Sequence, residues 1–384
     1  MTDPELSLGA PGSTVADAPR VDRVDAAAFT IPLEAPESDG TLRWDATTLV
    51  VVTVHAGGVV GTGYTYNAPA TAAVVEDTLA GVVVGRDPMA VGAAWGAMAR
   101  AVRNQGRRGV VSSAISAVDL ALWDLKARLL ELSLVDLLGG YHDHVPAYGS
   151  GGFTSLSDRA LADQLRGWAE QGLAAVKLKV GSDPDADPHR VGLARTAVGD
   201  AVDLFVDANG AYRVKEALLL AERFGEDRVR WFEEPVSSDD LAGLRLVRER
   251  APAGMDVAAG EYGWDVTHAR DLLAAGAVDC LQADVTRVGG ITGLLRVAAL
   301  ADAAGLDVSA HCAPQASAQA MTAVWHARHL EYFADHVRVE ALAFDGALLP
   351  EGGALRPDLS RPGHGLEVRW SDLEKHRVGT EGAA

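Results

Sequence analysis

The chain has 384 residues, 48% hydrophobic and 23% charged, which is typical of a globular protein with one large and one smaller domain. Its formal net charge of −19 argues against nucleic acid or an anionic membrane as a partner, because both require a basic surface. The N-terminus lacks the features of a secretory signal, and two cysteines, Cys280 and Cys312, indicate no disulfide framework. We therefore expect a cytoplasmic protein.

The first part of the chain predicts a small α+β domain, which we assign to residues 21–142. A tail rich in Pro, Gly, Ser and Asp precedes it (1–20), and we expect this tail to be disordered. Two β-rich runs joined around Ala56-Gly57-Gly58 indicate a hairpin. The polar stretch 34–45 is typical of a mobile loop, and the chain from 70 to about 140 has the apolar spacing of helices.

From residue 143 onward, short β-like runs alternate with helical stretches rich in Ala and Leu. Eight such runs lie near residues 147, 178, 206, 232, 259, 283, 309 and 340. A helix between evenly spaced strands predicts a parallel (β/α)₈ barrel over 143–355. A doubly wound sheet would also alternate, but no Gly-rich dinucleotide fingerprint follows the first strand. The Gly/Pro-rich segment 356–384 should return to the N-terminal domain.

Ionisable side chains stand at the ends of seven consecutive predicted strands, where barrel enzymes carry their chemistry. They are Lys177 and Lys179, Asp207, Glu233, Glu261, Asp284, His311 and Glu340. Side chains alternate along a strand, so Lys177 and Lys179 share one face. A solvated outer face is the alternative, but helices cover the outside of a barrel, and we therefore expect both lysines to point inward.

Three neighbouring strands each offer a carboxylate: Asp207, Glu233 and Glu261. Adjacent strands lie about 4.8 Å apart, so these groups can converge on one point. Without a counter-charge such a cluster is unfavourable, and all-oxygen ligation favours Mg²⁺, with Mn²⁺ as a substitute. Three unrelated surface acids are the alternative.

An acid/base group flanks this cluster on each side. His311 alone would be read as a hydrogen-bonded core histidine, but Asp284 on the neighbouring strand favours a catalytic pair. We expect burial and the cation of Lys177 to lower the pKa of Lys179, which would make it a base. This arrangement suits abstraction of a proton α to a carboxylate, giving an enediolate stabilised by a metal ion.

The motifs that carry these residues resemble those of the enolase superfamily, and within it the mandelate racemase group. They are "KLK" (177–179), "DAN" (207–209), "EEP" (233–235), "GE" (260–261), "ADVTRVGGITG" (283–293) and "SAHCAP" (309–314). The resemblance extends from about residue 21 to 370. It implies an α/β fold, a modified (β/α)₇β TIM barrel with an N-terminal α+β capping domain.

The resemblance also implies individual roles. Mg²⁺ would be bound by Asp207, Glu233 (rather than Glu234) and Glu261, and proton transfer would fall to Lys179 and the His311–Asp284 pair. The substrate would be held by Lys177 and Asn209, by Glu340 as the acid on the far side (with Glu331 nearby), and by Tyr64 of the "GYTY" segment. Together with the 34–45 loop, this segment would close over the substrate.

The implied reaction is dehydration of an acid sugar, an aldonate or aldarate, to a 2-keto-3-deoxy acid. Racemisation or epimerisation of a 2-hydroxy acid and cycloisomerisation of an anhydro sugar acid remain open. A Schiff-base lyase or aldolase would use a lone strand lysine as nucleophile, and a zinc hydrolase would require histidine ligands. The group's habit of forming dimers and octamers implies a homo-oligomer.

Overall fold

The N-terminal part of the chain folds as an antiparallel sheet in the computed structural model, which describes residues 19–379. Residues 1–18, most of the predicted tail, and 380–384 lie outside this range. The sheet has the order β1-β2-β3, formed by Val21–Ser38, Arg43–Ala56 and Val59–Tyr66. The turn between β2 and β3 contains Gly57 and Gly58, both with positive φ, so the predicted hairpin is confirmed.

The stretch 34–45 is not a loop, and that prediction is wrong. It forms the ends of β1 and β2, with Glu37 paired to Trp44. A turn at 39–42 joins the strands, and the side chain of Asp39 accepts the amides of Thr41 and Leu42 at 2.6 and 2.7 Å. The Asp-Gly pair therefore builds a tight hairpin tip where polarity alone indicated a loop.

Five helices and a π-helical turn complete the unit that we call the capping domain. They are α1 (Ala70–Val74), the π turn (Val75–Leu79), α2 (Ala80–Val83), α3 (Val91–Ala101), α4 (Val110–Leu129) and α5 (Leu134–Leu138). Helix α4 lies directly on β3. A Cβ at Gly63 would stand 2.1 Å from the carbonyl oxygen of Ala117, so only glycine permits this approach.

The eight parallel strands of the second unit form a closed barrel. They are β4 (Val145–Gly151), β5 (Ala175–Lys179), β6 (Asp203–Asp207), β7 (Val229–Glu233), β8 (Asp256–Ala259), β9 (Cys280–Ala283), β10 (Asp307–Ala310) and β11 (Ala327–Phe333). Leu330 of β11 pairs with Ala147 of β4, which closes the ring. The predicted fold class, a TIM-type barrel with an N-terminal α+β domain, is confirmed.

Seven helices connect the eight strands, as in a (β/α)₇β arrangement. They are α6 (Asp158–Glu170), α7 (Asp187–Val198), α8 (Val214–Glu226), α9 (Leu241–Arg250), α10 (Val266–Ala275), α11 (Gly290–Ala303) and α12 (Pro314–Met321). An eighth helix, α13 (Ala334–Ala343), follows the last strand.

The eighth strand lies at 327–333, so the prediction of a strand near residue 340 is wrong. Residues around 340 belong to α13, whose buried positions include Asp335, His336, Val339 and Glu340. Burial at i, i+1, i+4 and i+5 is the pattern of a helix. The β-branched Val339 in "RVEAL" suggested a strand because the helical spacing around it was overlooked.

The segment after the barrel contacts both units. Short strands β12 (Phe344–Asp345) and β14 (Glu367–Val368) pair with each other, and β13 (Ala354–Leu355) pairs with β4. After α14 (Trp370–Leu373) and a 3₁₀ turn (Glu374–His376), Arg377 forms a bridge with Phe29 of β1. The domain limits at 142 and 355 stay predictions. Between residues 19 and 379, no helix has the length and apolar character needed to span a bilayer.

Candidate active site

The strand register brings three charged residues to one level at the carboxyl end of the barrel. Lys179 of β5 is paired with Asp207 of β6, and Asp207 with Glu233 of β7. Glu261 follows β8 after one glycine. Oxygen atoms of Asp207, Glu233 and Glu261 lie within 4.8 Å of one another, and all three residues are buried. We refer to these three as the carboxylate trio.

Gly260 allows Glu261 to reach this position. Its φ is +137°, and a Cβ there would stand 2.1 Å from the carbonyl oxygen of Gln282 on β9. A side chain at residue 260 would push β8 and β9 apart and displace the carboxylate that follows. The "GE" pair is therefore a structural requirement for the third member of the trio.

Lys177 points into the barrel but does not reach its mouth. It is fully buried, with Nζ 2.6 Å from Glu233, 2.9 Å from Glu331 and 3.5 Å from Asp207. These carboxylates hold its pKa well above the ordinary value, although burial alone would lower it. A residue two positions earlier on a strand lies about 6.6 Å deeper. Lys177 therefore does not line the cavity, and direct binding of the substrate carboxylate by its ammonium group stays a prediction.

Lys179 reaches the mouth of the barrel and lines a cavity there. Its ammonium group forms an ion pair with Asp207. Burial and the neighbouring Lys177 would each lower the pKa of Lys179, but the carboxylate of Asp207 outweighs them and holds the pKa above its ordinary value. The expectation of a lowered pKa neglected this ion pair and is wrong for the site as it stands.

His311 lies on the other side of the trio, directly after β10. Its Nδ1 donates to Asp284 at 2.8 Å, and Asp284 is itself held by the amide and hydroxyl of Thr286, each at 2.7 Å. The opposite ring nitrogen, Nε2, lies 3.3 Å from Glu261. Burial alone would lower the pKa of His311, but Cys312 and the nearby carboxylates hold it above its ordinary value.

The acid beside the site is Glu331, at the end of β11, and not Glu340. Glu331 accepts hydrogen bonds from the hydroxyl of Ser150 at 2.5 Å and the amide of Cys312 at 3.0 Å, and it lines the cavity. Glu340 lies on α13, fully buried, where its carboxylate accepts the hydroxyl of Tyr64 at 2.6 Å. The role expected of Glu340 followed from the misplaced eighth strand and is corrected here.

We expect the stability of the wild-type protein to fall as pH rises from about 4.5 to about 8. In Glu340→Gln this fall should be absent. Burial raises the pKa of Glu340 from an ordinary 4.5 to about 8. Within this range the folded state retains a proton that the unfolded state has released, so stability falls as pH rises. Glutamine stays neutral and resembles the protonated acid. The Tm of both proteins across this range measures the effect, and a difference independent of pH would contradict it.

Asn209 and Tyr64 differ in their relation to the cavity. Asn209 lines it, in a left-handed conformation (φ +47°), and its amide donates to Asp207 at 2.9 Å. Its side-chain oxygen has no hydrogen-bond partner within the described part of the chain and can take one from a ligand. Tyr64 is engaged with Glu340 and does not line the cavity, whereas Tyr66 on the same face of β3 does. The expectation of direct substrate binding thus fails for Tyr64.

The cavity has a volume of about 400 Å³ and lies between the barrel mouth and the capping domain. Its barrel side includes Lys179, Asn209, Glu261, Arg287, His311 and Glu331, and its capping side includes Asp39, Leu42, Trp44, Thr47, Tyr66 and Asn67. The tip of the β1–β2 hairpin is therefore part of the wall.

Arg287 and His336 are among the residues of this wall that sequence reasoning missed. Arg287 lies three residues after Asp284, 3.3 Å from its carboxylate, and donates to the carbonyl oxygen of Glu261 at 3.1 Å. His336 stacks on the ring of Tyr66, with 3.5 Å between ring centroids. The quoted motif "ADVTRVGGITG" contained Arg287, but nothing in the sequence indicated that α13 brings His336 to the site.

The charges around the trio fit a divalent cation. The carboxyl groups are those of Asp207, Glu233, Glu234, Glu261, Asp284 and Glu331, and the nitrogen cations are Lys177, Lys179, Arg287 and protonated His311. With every group ionised the acids would exceed the cations by two, and burial together with Asp207 raises the pKa of Glu233 to about 8, so a proton is retained where a bound cation would supply the missing positive charge. An oxygen-only donor set with this excess charge suits Mg²⁺.

Adding Mg²⁺ is expected to raise the Tm of the wild-type protein, and Glu261→Gln should remove most of that rise. A cation that binds only the folded state stabilises it by about 2.7 kcal/mol when its free concentration is 100 times Kd. Glutamine preserves the shape of Glu261 but withdraws one anionic ligand. Thermal unfolding in EDTA and in Mg²⁺ measures the rise. Glu170→Gln, exposed on α6, is the matched control and should keep the full rise; if Glu261→Gln keeps it too, Glu261 is not a ligand.

Comparison with protein families agrees with this geometry. Residues 32–139 match the mandelate racemase / muconate lactonizing enzyme N-terminal domain, and residues 160–372 match the enolase C-terminal domain-like family. The chain belongs to the mandelate racemase group of the enolase superfamily. Enzymes of this superfamily bind Mg²⁺, and the chain is thus an enzyme of a magnesium-dependent superfamily.

Relatives within this superfamily catalyse more than one reaction. A 3,6-anhydro-α-L-galactonate cycloisomerase from Streptomyces coelicolor is 33% identical over 94% of this chain and 100% of its own length. Other relatives are dehydratases of sugar acids such as D-gluconate and L-talarate/galactarate. The family assignment therefore leaves the choice between these reactions open.

Solved structures of the same fold extend the comparison. A mandelate racemase/muconate lactonizing enzyme-like protein from Rubrobacter xylanophilus is 54% identical, with a TM-score of 0.92, covering 94% of this chain and 100% of that one. A racemase from Streptomyces coelicolor A3(2), solved with bound magnesium, is 31% identical, with a TM-score of 0.88, covering 93% and 100%.

Proposed function

We propose that this enzyme removes the proton α to the carboxylate of an acid sugar and then eliminates water, giving a 2-keto-3-deoxy acid. One observation carries the proposal: Lys179 on β5 and His311 after β10 line the same cavity from the two sides of the carboxylate trio. Two proton-transfer groups facing one bound carbon are what α-proton abstraction and departure of a β-hydroxyl require.

The trio of Asp207, Glu233 and Glu261 would hold Mg²⁺, with Mn²⁺ as a predicted substitute. When bound, the cation would stabilise negative charge on the substrate carboxylate and would weaken the ion pair of Asp207 with Lys179. Glu331 and Asn209 line the cavity beside this position and would hydrogen-bond the substrate oxygens. Lys177 lies deeper in the barrel and holds Glu233 of the trio, and the neighbouring Glu331, through ion pairs.

In this mechanism the neutral amine of Lys179, released from its ion pair with Asp207, accepts the α-proton, and the electron pair of the C–H bond moves onto the carboxylate to give an enediolate. The enediolate then expels the β-hydroxyl group, to which His311 donates a proton, so that it leaves as water. Asp284 holds the imidazole with Nδ1–H toward itself, which leaves Nε2 for the substrate. The enol product tautomerises to the 2-keto acid.

A polyhydroxylated substrate agrees with the outer part of the cavity. Polar groups of Asp39, Thr47 and Asn67 lie in its wall, along with Asp335 and the guanidinium of Arg287. Such groups can pair with the hydroxyls of a sugar chain, whereas a purely apolar substituent would leave them without partners.

Cycloisomerisation of an anhydro sugar acid is the second candidate, favoured by the cycloisomerase that matches nearly the whole chain. The same enediolate would then expel a ring ether oxygen in place of a hydroxyl group. Racemisation would use the same two groups without elimination. A Schiff-base mechanism has less support, because it would use a lone lysine beside the substrate carbonyl, whereas Lys179 stands beside the carboxylates of a candidate metal site.

Incubation of the Mg²⁺-loaded enzyme with aldonic, aldaric and 3,6-anhydro sugar acids tests the proposal. We expect a 2-keto acid from at least one open-chain acid, measured as its semicarbazone. Product from the anhydro acids alone would favour cycloisomerisation. Exchange of the α-proton in D₂O without any keto acid would contradict dehydration and favour racemisation. Borohydride trapping should yield no covalent adduct.

A further inference from the structure

The chain segment that follows His311 is held through its backbone amides by buried side chains. Cys312 donates its amide to Glu331 at 3.0 Å, and Ala313 donates to Nδ1 of His336 at 3.1 Å. Pro314 has no amide hydrogen. The next two amides open helix α12 and are bound by two residues from elsewhere in the fold: Gln315 donates to Glu340 at 3.3 Å and Ala316 to the hydroxyl of Tyr64 at 3.1 Å.

This segment has an unfavourable backbone conformation that needs such support. Cys312 and Ala313 have φ angles of +48° and +43°, in the left-handed region that non-glycine residues seldom adopt. Such a conformation is strained and persists only where surrounding contacts determine it. The direction in which His311 leaves β10 therefore depends on the groups that bind these amides.

Tyr64 brings the capping domain into this network. Its hydroxyl donates to Glu340 at 2.6 Å while accepting the amide of Ala316, so both hydrogen-bonding functions of the phenol are used. The side chain is 1% exposed, and its position on β3 is set by Gly63, which lies against α4. Two residues along the same face, Tyr66 stacks on His336, the group that binds the amide of Ala313.

We propose that Tyr64 and Glu340 are positioning residues for His311. They bind the first two free amides of α12 and so fix the left-handed turn that aims the imidazole into the cavity. The capping domain, through Tyr64, thereby acts on proton transfer without touching the substrate. The inference rests on the proposed function only in that His311 is the acid/base group.

Loss of the Tyr64 hydroxyl leaves the amide of Ala316 and one oxygen of Glu340 without their partner. Because the turn is strained, we expect it to relax and the imidazole of His311 to move. A displacement of about 1 Å at a catalytic group can reduce a rate by about 10²-fold. The trio is carried by β6, β7 and the residue that follows Gly260, and His311 contacts it at Glu261, so the Kd for Mg²⁺ should change much less than the rate.

The test uses the full-length, Mg²⁺-loaded protein with ¹⁵N-labelled histidine. The His311 ring signals are identified by their loss in His311→Asn. In Tyr64→Phe, which retains the ring, we expect these signals to shift or split into two sets. Glu340→Leu should have the same effect, and Glu340→Gln, which keeps an acceptor oxygen, should restore wild-type signals. Once a substrate is found, kcat should fall in Tyr64→Phe while KM is little changed.

Tyr212→Phe is the matched control, because this buried hydroxyl also donates to a carboxylate, that of Asp187, at 2.5 Å. It should lower the Tm as Tyr64→Phe does but leave the His311 signals in place. Unchanged His311 signals in both Tyr64→Phe and Glu340→Leu would overturn the proposal, as would equal shifts in the control. The spectra need no substrate, so they remain decisive even if no acid sugar is converted.

Discussion

Lys179→Met is expected to lower kcat by about 10²- to 10⁴-fold, the usual contribution of a positioned general base. Methionine preserves the length of the side chain beside Asp207 and the ring of Phe333 but cannot accept a proton. Formation of the 2-keto acid from the substrate found in the acid-sugar screen measures the loss. Exchange of the α-proton with D₂O should fall in parallel, because abstraction precedes elimination.

The Kd for Mg²⁺ distinguishes loss of the base alone from damage to the whole site. Lys179 competes with a cation for Asp207, so the Kd for Mg²⁺ should be unchanged or lower in Lys179→Met. Lys215→Met, exposed on α8, removes a lysine away from the barrel mouth and should keep wild-type kcat. If Lys179→Met also kept it, the assignment of Lys179 as the base would be wrong.

Lys177→Met should have the largest effect on stability, lowering the free energy of unfolding by about 3–5 kcal/mol in EDTA. Lys177 is fully buried among Glu233, Glu331 and Asp207, so its removal leaves carboxylates inside the barrel without their cation. Urea unfolding measures the loss. Lys179→Met should cost less, because Lys179 pairs with one carboxylate only and its side chain is 6% exposed.

The pH dependence gives this prediction a second readout. Although burial alone would raise the pKa of Glu331, Lys177 and the other nearby cations hold it well below the ordinary value. Ionised Glu331 thus contributes stability above its ordinary pKa, and this contribution disappears as pH falls through the lowered pKa. The difference between wild type and Lys177→Met should shrink in acid. If Lys177→Met were as stable as Lys179→Met at all pH values, Lys177 would not be the main counter-ion of these buried carboxylates.

Elements with strictly local signals were predictable. The β2–β3 hairpin depends on a Gly-Gly turn between apolar runs, and the first seven barrel strands repeat at even intervals. The carboxylate trio, Lys179 and the His311–Asp284 pair followed from strand ends, because parallel strands bring equivalent ends to one edge. Their proximity in the fold agrees with that reasoning.

The errors share a physical cause: the local sequence does not show how deeply a side chain is buried or which residues it contacts. "RVEAL" has a β-branched valine, yet it lies in α13, and the acid beside the site is therefore Glu331. Lys177 and Lys179 have similar sequence surroundings and lie two residues apart on β5. Lys177 is nevertheless fully buried, whereas Lys179 reaches the cavity. Tyr64 and Tyr66 differ in the same way: one binds Glu340, and the other lines the cavity.

By itself, the sequence determined the barrel class, the oxygen ligands proposed for Mg²⁺ and the two residues proposed to transfer protons, because these depend on strand periodicity and residue type. Only the tertiary structure decided which lysine faces the cavity, which glutamate stands beside His311, and how the capping domain reaches the turn after it. These features arise from contacts between residues far apart in the chain, such as Tyr64 and Glu340, and no local pattern encodes them.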